Sequence, residues 1–343
     1  MPRLYLALLL LWLACPALAL TPAPLDSDDL RLSLGPYTGY YEDTDGTLGV
    51  AQVLALDDDA FHEVGGDHIN LGKNASVWWF KIRLVNALEQ ELGGYLEINY
   101  PLLDHLQVHL ITPDGKHLQQ ESGDSFAFSQ RPVQVRNFWF PMQLEPGVST
   151  LLVRVETTST VFVPLFFATY GASAAAQENL MGFNGAFYGV LFAMFCYNLF
   201  LYISLRESAY LWYLAYNLNV GLLAACFDGM LFKLLPEHVA LQSVSIYILM
   251  YVHCLTAIQF SRHFLHAPQY FPRLDTYLRL MMLICVGCLL SVPLIGFAAW
   301  NILASVTVSL VSLILLLTGI YVWRRGVRYG SYYTLAWAIL LFA

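Results

Sequence analysis

The second half of the chain contains a series of apolar runs, each about as long as a membrane-spanning helix. A helix needs about 20 apolar residues to cross the hydrocarbon core of a bilayer. Runs of this kind occur near residues 182–205, 210–233, 240–261, 278–297 and 300–323, and a sixth begins at Tyr329. The loops between them are short, as in antiparallel bundles. The sequence therefore predicts a polytopic α-helical membrane bundle over residues 180–343, with five full spans and a truncated sixth.

Charge is distributed unevenly along the chain. Residues 20–180 contain 21 acidic and 8 basic residues, whereas residues 181–343 contain 4 acidic and 8 basic ones. We expect the acidic part to lie in water and the sparsely charged part to lie in the bilayer. The acidic balance also argues against a nucleic-acid partner, because binding to phosphates relies on basic residues.

The first 19 residues have the pattern of a signal peptide. Arg3 supplies a positive charge, an apolar stretch follows, and Ala17-Leu18-Ala19 provides small residues for cleavage. We expect the mature chain to start near Leu20. A lipidated Cys15 and an uncleaved first helix are the alternatives. Trp12 is a poor residue for a lipoprotein signal, and the apolar run is short.

Residues 20–175 are predicted to form an exported all-β sandwich of jelly-roll type. From Val50 to Tyr170 apolar and polar residues alternate with period two, and no convincing helix interrupts the pattern. We expect strands at residues 79–86, 95–100, 106–110, 133–142, 150–157 and 161–170. Thr112-Pro113-Asp114-Gly115 is a turn sequence. Since residues 20–180 contain no cysteine, the domain must be held together by its core.

Enzyme chemistry is not indicated in this domain. His105 and His109 share one face of a predicted strand but lie too far apart to converge easily on a metal. The run Asp57-Asp58-Asp59 is typical of a solvated loop. We found no phosphate-binding loop and no nucleophile elbow. The sequence therefore predicts no catalytic residue, no metal and no cofactor.

A mixed aromatic and basic set forms the candidate ligand site. Aromatic faces stack on sugar rings, and forked guanidinium donors bind carboxylates. The set comprises Trp78, Trp79, Arg83, Tyr100, Arg131, Arg136 and Trp139. A carbohydrate or a small carboxylate is the expected ligand. The alternative is that the aromatic rings form the core and the arginines pair with surface carboxylates.

Polar residues within the apolar runs form a second candidate set. It comprises Asn198, Asn217, Asp228 and His253, together with Asn184, Asn219 and Gln259. Such groups usually face other helices and bond to them. Structural hydrogen bonding between helices and a signalling or ligand role are both open, and Asp228 is expected to face water or to pair with Lys233.

Loop charges predict the topology. If the signal peptide exports the sandwich, the first span runs inward and Arg206-Glu207-Ser208 is a cytoplasmic turn. Cytoplasmic loops are enriched in basic residues. Seven of the eight basic residues after residue 180 then fall in or beside cytoplasmic loops: Arg206, Arg262, Arg273, Arg279, Arg324, Arg325 and Arg328. We therefore predict a multi-pass protein of the bacterial inner membrane with a periplasmic N-terminal domain.

Both halves resemble one family, the bacterial seven-transmembrane receptors with diverse intracellular signalling modules and a type-2 extracellular domain. The motifs are Trp79–Leu84, Tyr100–Asp104, Gly123-Asp124 and Phe128–Pro132 in the soluble half, and Tyr197–Tyr202, Leu205–Leu211 and Asp228-Gly229 in the membrane half. The resemblance implies a sensor whose jelly roll is similar to carbohydrate-binding modules, and it adds Asp104 to the candidate ligand-binding residues. It also implies a seventh helix leading to a histidine kinase, a diguanylate cyclase or a similar module, whose residues this sequence does not contain.

The predicted function is transmembrane signal reception, with a homodimer or a partner receptor as an expected assembly. The alternatives are a transporter or membrane enzyme with a periplasmic accessory domain, and a sugar-binding protein with a passive anchor. Few intramembrane charges and no visible paired repeats count against a transporter. Because the sixth run is only about 15 residues long, short of a full span, we expect the native product to continue past Ala343.

Overall fold

A computed structural model describes residues 20–74 and 76–342. The predicted signal peptide, residues 1–19, lies outside this described part. The chain divides into two compact units, with the division between Glu178 and Asn179. We describe each unit by itself.

The first unit is built from short strands. In chain order they are β1 (Ala23–Leu25), β2 (Arg31–Ser33), β3 (Thr38–Asp43), β4 (His62–Glu63), β5 (Ile69–Asn70), β6 (Val77–Asn86), β7 (Leu92–Ile98), β8 (His105–Ile111), β9 (His117–Ser122), β10 (Phe138–Leu144), β11 (Gly147–Glu156), β12 (Phe162–Val163) and β13 (Leu165–Thr169). The large sheet has the order β4-β3-β6-β11-β8-β9, with β1 also paired to β6, and the small sheet has the order β10-β7-β13-β2. Strands β5 and β12 form a separate two-stranded ribbon.

The core of this unit lies between the two sheets. Alternate residues of β6, such as Phe80 and Ile82, are fully buried there with Leu96 of β7, Phe140 of β10 and Phe167 of β13. Because side chains of a strand alternate between its two faces, each sheet contributes one face to this core. The predicted all-β sandwich class is therefore confirmed.

The outer face of the large sheet carries a second, smaller core. Trp79 is 1% exposed and packs with Val53, Phe61 and Leu152. Val53 belongs to a short helix, α1 (Val50–Leu54). The prediction that no helix interrupts the strand pattern after Val50 was therefore wrong, because this segment folds over the sheet as a helical cover.

The predicted strand over residues 133–142 is shorter than expected, since β10 begins only at Phe138. The preceding loop is held in an irregular conformation by Arg131, whose Nη1 donates to the carbonyls of Val135 (3.1 Å) and Arg136 (2.7 Å). These two carbonyls therefore accept their hydrogen bonds from a side chain.

The second unit is helical. Its helices, including α2 that begins in the first unit, are α2 (Tyr170–Leu205), α3 (Ser208–Phe227), α4 (Met230–Leu234), α5 (Val239–Phe264), α6 (Ala267–Tyr270), α7 (Pro272–Leu289), α8 (Val292–Ile295), α9 (Phe297–Arg324) and α10 (Arg328–Phe342). Arg206 takes the left-handed conformation with φ 57°. This conformation ends α2 and allows α3 to begin two residues later.

Among the described residues, four helices are long and apolar enough to cross a membrane: α2, α3, α5 and α9. The predicted span at residues 278–297 is divided between α7 and α8. Helix α7 has 18 residues and begins with a segment that contains Arg273, Asp275 and Arg279. Helix α10 has 15 residues, so α7 and α10 are shorter or more polar than the other four.

The fragment of residues 20–178 should fold without the helical unit, because the buried side chains that join its sheets all belong to it. Expression in water should give a soluble protein whose far-ultraviolet circular dichroism is dominated by strand. An insoluble product, or a spectrum dominated by helix, would contradict this expectation.

Trp79→Ala should destabilise that fragment by about 3–5 kcal/mol, the range for large-to-small changes of buried aromatic residues. The tryptophan fills the space between the sheet and its helical cover. Leu118→Ala, at a side chain that is 48% exposed, is the matched control and should change stability by less than about 0.5 kcal/mol. Urea unfolding measures both, and equal effects would show that the cover adds no packing energy.

Candidate ligand site at the rim of the sandwich

Two loops meet at one end of the sandwich. The backbone N–H of Asp124 donates to Leu103 O (2.8 Å), and that of Ser125 donates to Asp104 O (3.2 Å). Gly123 makes this approach possible, because a Cβ at this position would lie 2.0 Å from Asp104 O. We call the meeting point of these loops the rim site.

A pair of carboxyl groups defines the rim site. Oδ2 of Asp104 accepts hydrogen bonds from the backbone N–H and the hydroxyl of Thr158, both at 2.7 Å. Burial raises the pKa of Asp124 to about 8, with the charge of Asp104 and a hydrogen bond to it acting in the same direction and Arg131 acting against them. Asp124 is therefore protonated near neutral pH and donates to the Asp104 carboxylate.

Tyr100, close to both carboxyl groups, belongs to a cluster of aromatic side chains. Tyr100 packs edge-on against Phe162 with ring centroids 5.5 Å apart, and His68 lies 6.1 Å from Phe162. Burial raises the pKa of Tyr100, and the charges of Asp124 and Asp104 raise it further. Burial lowers the pKa of Lys73, and the charge of Asp104 offsets only part of this shift. The rim thus combines aromatic faces, hydrogen-bond acceptors and a cation.

Arg131 lies in the loop beside this pair. Its guanidinium lies over the rings of Phe138 (4.4 Å) and Phe128 (4.9 Å), and the residue is 4% exposed. Burial lowers its pKa to about 10, while Asp124 acts in the opposite direction. In this position Arg131 holds the loop through its hydrogen bonds to the carbonyls of Val135 and Arg136, and its buried side chain offers little surface to a ligand.

The structure brings only part of the predicted set together. Tyr100, Asp104 and Arg131 meet at the rim site, and Arg136 belongs to the loop that Arg131 holds. Trp78 is buried in the core between the sheets.

The remaining predicted residues occupy other surfaces of the sandwich. Trp79 is buried under the cover of the large sheet. Arg83 pairs with Asp58, so the alternative of an arginine paired with a carboxylate describes its position. Trp139 is 8% exposed and lies 5.2 Å from the ring of Tyr95.

Several residues near the rim were missed by sequence reasoning. Lys73, His68 and Thr158 lie in loops or at loop ends, where no periodic pattern marks them, and Phe162 was included only as part of a predicted strand.

A pair of histidines on neighbouring strands was missed as well. Nδ1 of His109 lies 3.1 Å from Nε2 of His117 on the neighbouring strand. Within the described residues no group of three His, Cys, Asp or Glu side chains is placed to hold a metal ion.

The intramembrane polar residues lie at different places. Asn217 donates to Leu191 O of α2 (3.0 Å), which joins α2 and α3. Asn198 donates to Met194 O of its own helix (2.9 Å). Asp228 accepts a hydrogen bond from the hydroxyl of Tyr188 (3.2 Å).

His253 and Asn219 connect α3 to α5. The ring of His253 lies 4.9 Å from that of Tyr216, and Asn219 donates to Leu249 O at 3.3 Å. These contacts are of the kind that joins helices in a bilayer.

Comparison with protein families accounts for both units. Residues 180–343 match the family described as 7TM diverse intracellular signalling, and residues 35–169 match the 7TMR-DISM extracellular 2 domain. The chain belongs to this receptor family. The family suggests a transmembrane sensory receptor with an extracellular domain, which agrees with the predicted resemblance. No curated protein matches the chain.

The receptor should lose stability through Asp124 as the pH rises. Because the pKa of this carboxyl is about 8 in the folded state and about 4 when unfolded, the folded state binds the extra proton between these values. Its contribution is complete below about pH 4 and is lost as the pH approaches about 8. Asp124→Asn keeps a hydrogen-bond donor toward Asp104 but does not ionise.

Wild type should therefore become progressively less stable than Asp124→Asn between about pH 4 and pH 8. Thermal unfolding of both proteins over this range measures the difference, which cancels the titration of the other carboxyl groups. A difference that does not change with pH would show that Asp124 is ionised throughout.

Proposed function

We propose that the protein is a sensory receptor of the bacterial inner membrane whose exported sandwich binds a carbohydrate at the rim site. The helical unit would pass the signal to a cytoplasmic module such as a histidine kinase or a diguanylate cyclase, as the resemblance implies. We assign no catalytic step to the residues of this chain. The observation that carries the proposal is the aromatic and carboxyl composition of the rim site.

The rim site favours a carbohydrate over a small carboxylate. The ionised carboxylate of Asp104 repels an anionic ligand, and Arg131, the candidate anion partner, is buried beneath the loop. Carboxylate oxygens accept hydrogen bonds from hydroxyl groups, whereas the rings of Tyr100 and Phe162 present apolar surface. A sugar offers both features, hydroxyl groups at its edge and an apolar face.

The charge of the loops supports an inner-membrane location. With the sandwich outside, Arg206 and the basic residues at the ends of α7, α9 and α10 are placed on the cytoplasmic side, as the enrichment of basic residues in cytoplasmic loops requires. The same orientation gives α2 an inward direction from the sensor. A homodimer or a partner receptor stays a prediction.

The test is a ligand screen with variants of the rim. The full chain in lipid nanodiscs is presented with an array of mono- and oligosaccharides and with small mono- and dicarboxylates. We expect saturable binding of a sugar, weakened at least about tenfold, or about 1.4 kcal/mol, by Tyr100→Ala and by Asp104→Asn. Each variant removes one of the two kinds of contact that a sugar would make.

Asp29→Ala is the control, because this exposed carboxylate lies in the loop before β2 and should leave the affinity unchanged. Binding of carboxylates without binding of sugars would exclude the proposed ligand class. Sugar binding that neither rim variant weakens would place the site elsewhere on the sandwich.

A further inference from the structure

The small sheet passes directly into helix α2. Strand β13 ends at Thr169, and α2 begins at Tyr170 with no intervening residue. The helix contains 36 residues, which corresponds to about 54 Å at 1.5 Å per residue. Whatever fixes the first turn of α2 on the sheet therefore fixes the start of a long continuous element.

Glu97 of β7 makes that connection. Oε1 of Glu97 accepts a hydrogen bond from the hydroxyl of Ser173 in the first turn of α2 at 2.7 Å. Both residues are buried, with Glu97 1% and Ser173 0% exposed. A buried carboxylate is costly unless it is paired and hydrogen-bonded, so this position requires further donors.

The other oxygen of Glu97 receives these donors. Oε2 accepts from Nε (3.1 Å) and Nη2 (3.0 Å) of Arg31 on the edge strand β2 and from Nδ2 of Asn99 (3.3 Å). The guanidinium of Arg31 also lies over the ring of Phe166, 4.3 Å from its centroid. One carboxylate thus joins an edge strand, a central strand and the helix.

The Asn99 contact leads back to the rim site. Nδ2 of Asn137 donates to Oδ1 of Asn99 at 3.0 Å, and Asn99 directly precedes Tyr100. Asn137 directly follows Arg136, whose carbonyl is held by Arg131. An unbroken series of bonds therefore connects the rim loop with Ser173.

A second contact holds the same end of the helix. The ring of Tyr170 packs edge-on against Tyr95 at 4.9 Å, and Nε2 of Gln143 donates to its hydroxyl at 3.3 Å. Gly93 leaves room for this ring, since a Cβ there would lie 2.8 Å from it. The start of α2 therefore packs against β7 and β10. The hydrogen bond from Ser173 to the Glu97 carboxylate is the charge-assisted contact of this interface.

We propose that Glu97 is the positioning residue through which the rim loop controls the first turns of α2, by way of Asn137, Asn99 and Ser173. A shift of the rim loop moves Asn137 and Asn99, changes the donors on Oε2 and thereby alters the hold of Oε1 on Ser173. The chemistry of the ligand rests on the proposed function, but the coupling of loop and helix does not. If Glu97 had only a structural role, it would hold the first turn of α2 whether or not the rim loop is intact.

A double-mutant cycle separates these two roles. Asn137→Ala removes the donor on the rim side and does not touch α2, whereas Ser173→Ala removes the donor on the helix side. Amide hydrogen exchange of residues 170–178 is measured by mass spectrometry on the full chain in nanodiscs. We expect Ser173→Ala to speed exchange there about tenfold, as expected for the loss of a hydrogen bond to a carboxylate, and Asn137→Ala to speed it several-fold.

In the Ser173→Ala background, Asn137→Ala should have no further effect on these amides, because the path to the helix is already cut. Glu97→Gln should speed exchange in residues 170–178 and 131–137 together. Its amide nitrogen would face Ser173 or the donors of Arg31 and Asn99, so one side always loses its acceptor.

Ser76→Ala is the matched control. The hydroxyl of Ser76 donates to Oε1 of Glu42 at 2.6 Å, so the change removes a serine-to-carboxylate bond outside the network, and exchange in residues 170–178 should stay at the wild-type rate. Additive effects of Asn137→Ala and Ser173→Ala, or no effect of Asn137→Ala at the helix, would overturn the coupling. Since no ligand is used, failure of the sugar screen would leave this result standing.

Discussion

The buried carboxylate of Glu97 is the interaction on which the arrangement of the small sheet and α2 depends. A negative charge without water must be matched by donors, and here the donors come from β2, from the end of β7 and from the helix. An apolar side chain would pack against these elements without fixing their relative positions. The carboxylate fixes them, because four hydrogen bonds of defined direction converge on two oxygen atoms.

The rim site shows the opposite electrostatic balance. Asp104 is bonded by Thr158, but its neighbour Asp124 is another carboxyl group. Burial, together with the charge of Asp104 and a hydrogen bond to it, raises the pKa of Asp124 to about 8. Two like charges in one place are unfavourable, so one of them is kept neutral by a proton. The Glu97 carboxylate is surrounded by donors, whereas the pair of Asp104 and Asp124 holds a proton between two acceptors.

The sequence predicted the features that depend on periodicity and composition. The alternation of Phe80 and Ile82 with Lys81 and Arg83 identified the central strand, and the long apolar runs identified the helical unit. The helix at Val50–Leu54 could not be predicted in this way, because its five residues are shorter than any periodic window and it forms only against Trp79 of the sheet.

The candidate ligand-binding residues were predicted from residue type, and only some of them lie together at the rim site. Tyr100, Asp104 and Arg131 do meet, but Trp79 and Arg83 face the outer side of the large sheet and Trp139 lies against Tyr95. Their positions follow from strand register and from the segments that cover the sheets, which a single sequence does not reveal. Glu97 was overlooked for the same reason, since in the sequence it is one polar residue in an alternating strand.

Helix α2 combines a fixed start with a loosely packed remainder. In its most apolar 18-residue window, none of the described side chains is buried, whereas about a third of the corresponding windows in α5 and α9 is. Hydrogen bonds join it to α3 at Asn217 and to Asp228, just beyond the end of α3, at Tyr188. A helix packed tightly along its length resists displacement, because protein interiors are close-packed. Packed interfaces change between discrete arrangements and do not deform continuously. A helix held firmly by Ser173 and Tyr170 at one end and by a few hydrogen bonds beyond it can be displaced at low cost, which is the property that a sensor needs in the element that leaves its binding domain.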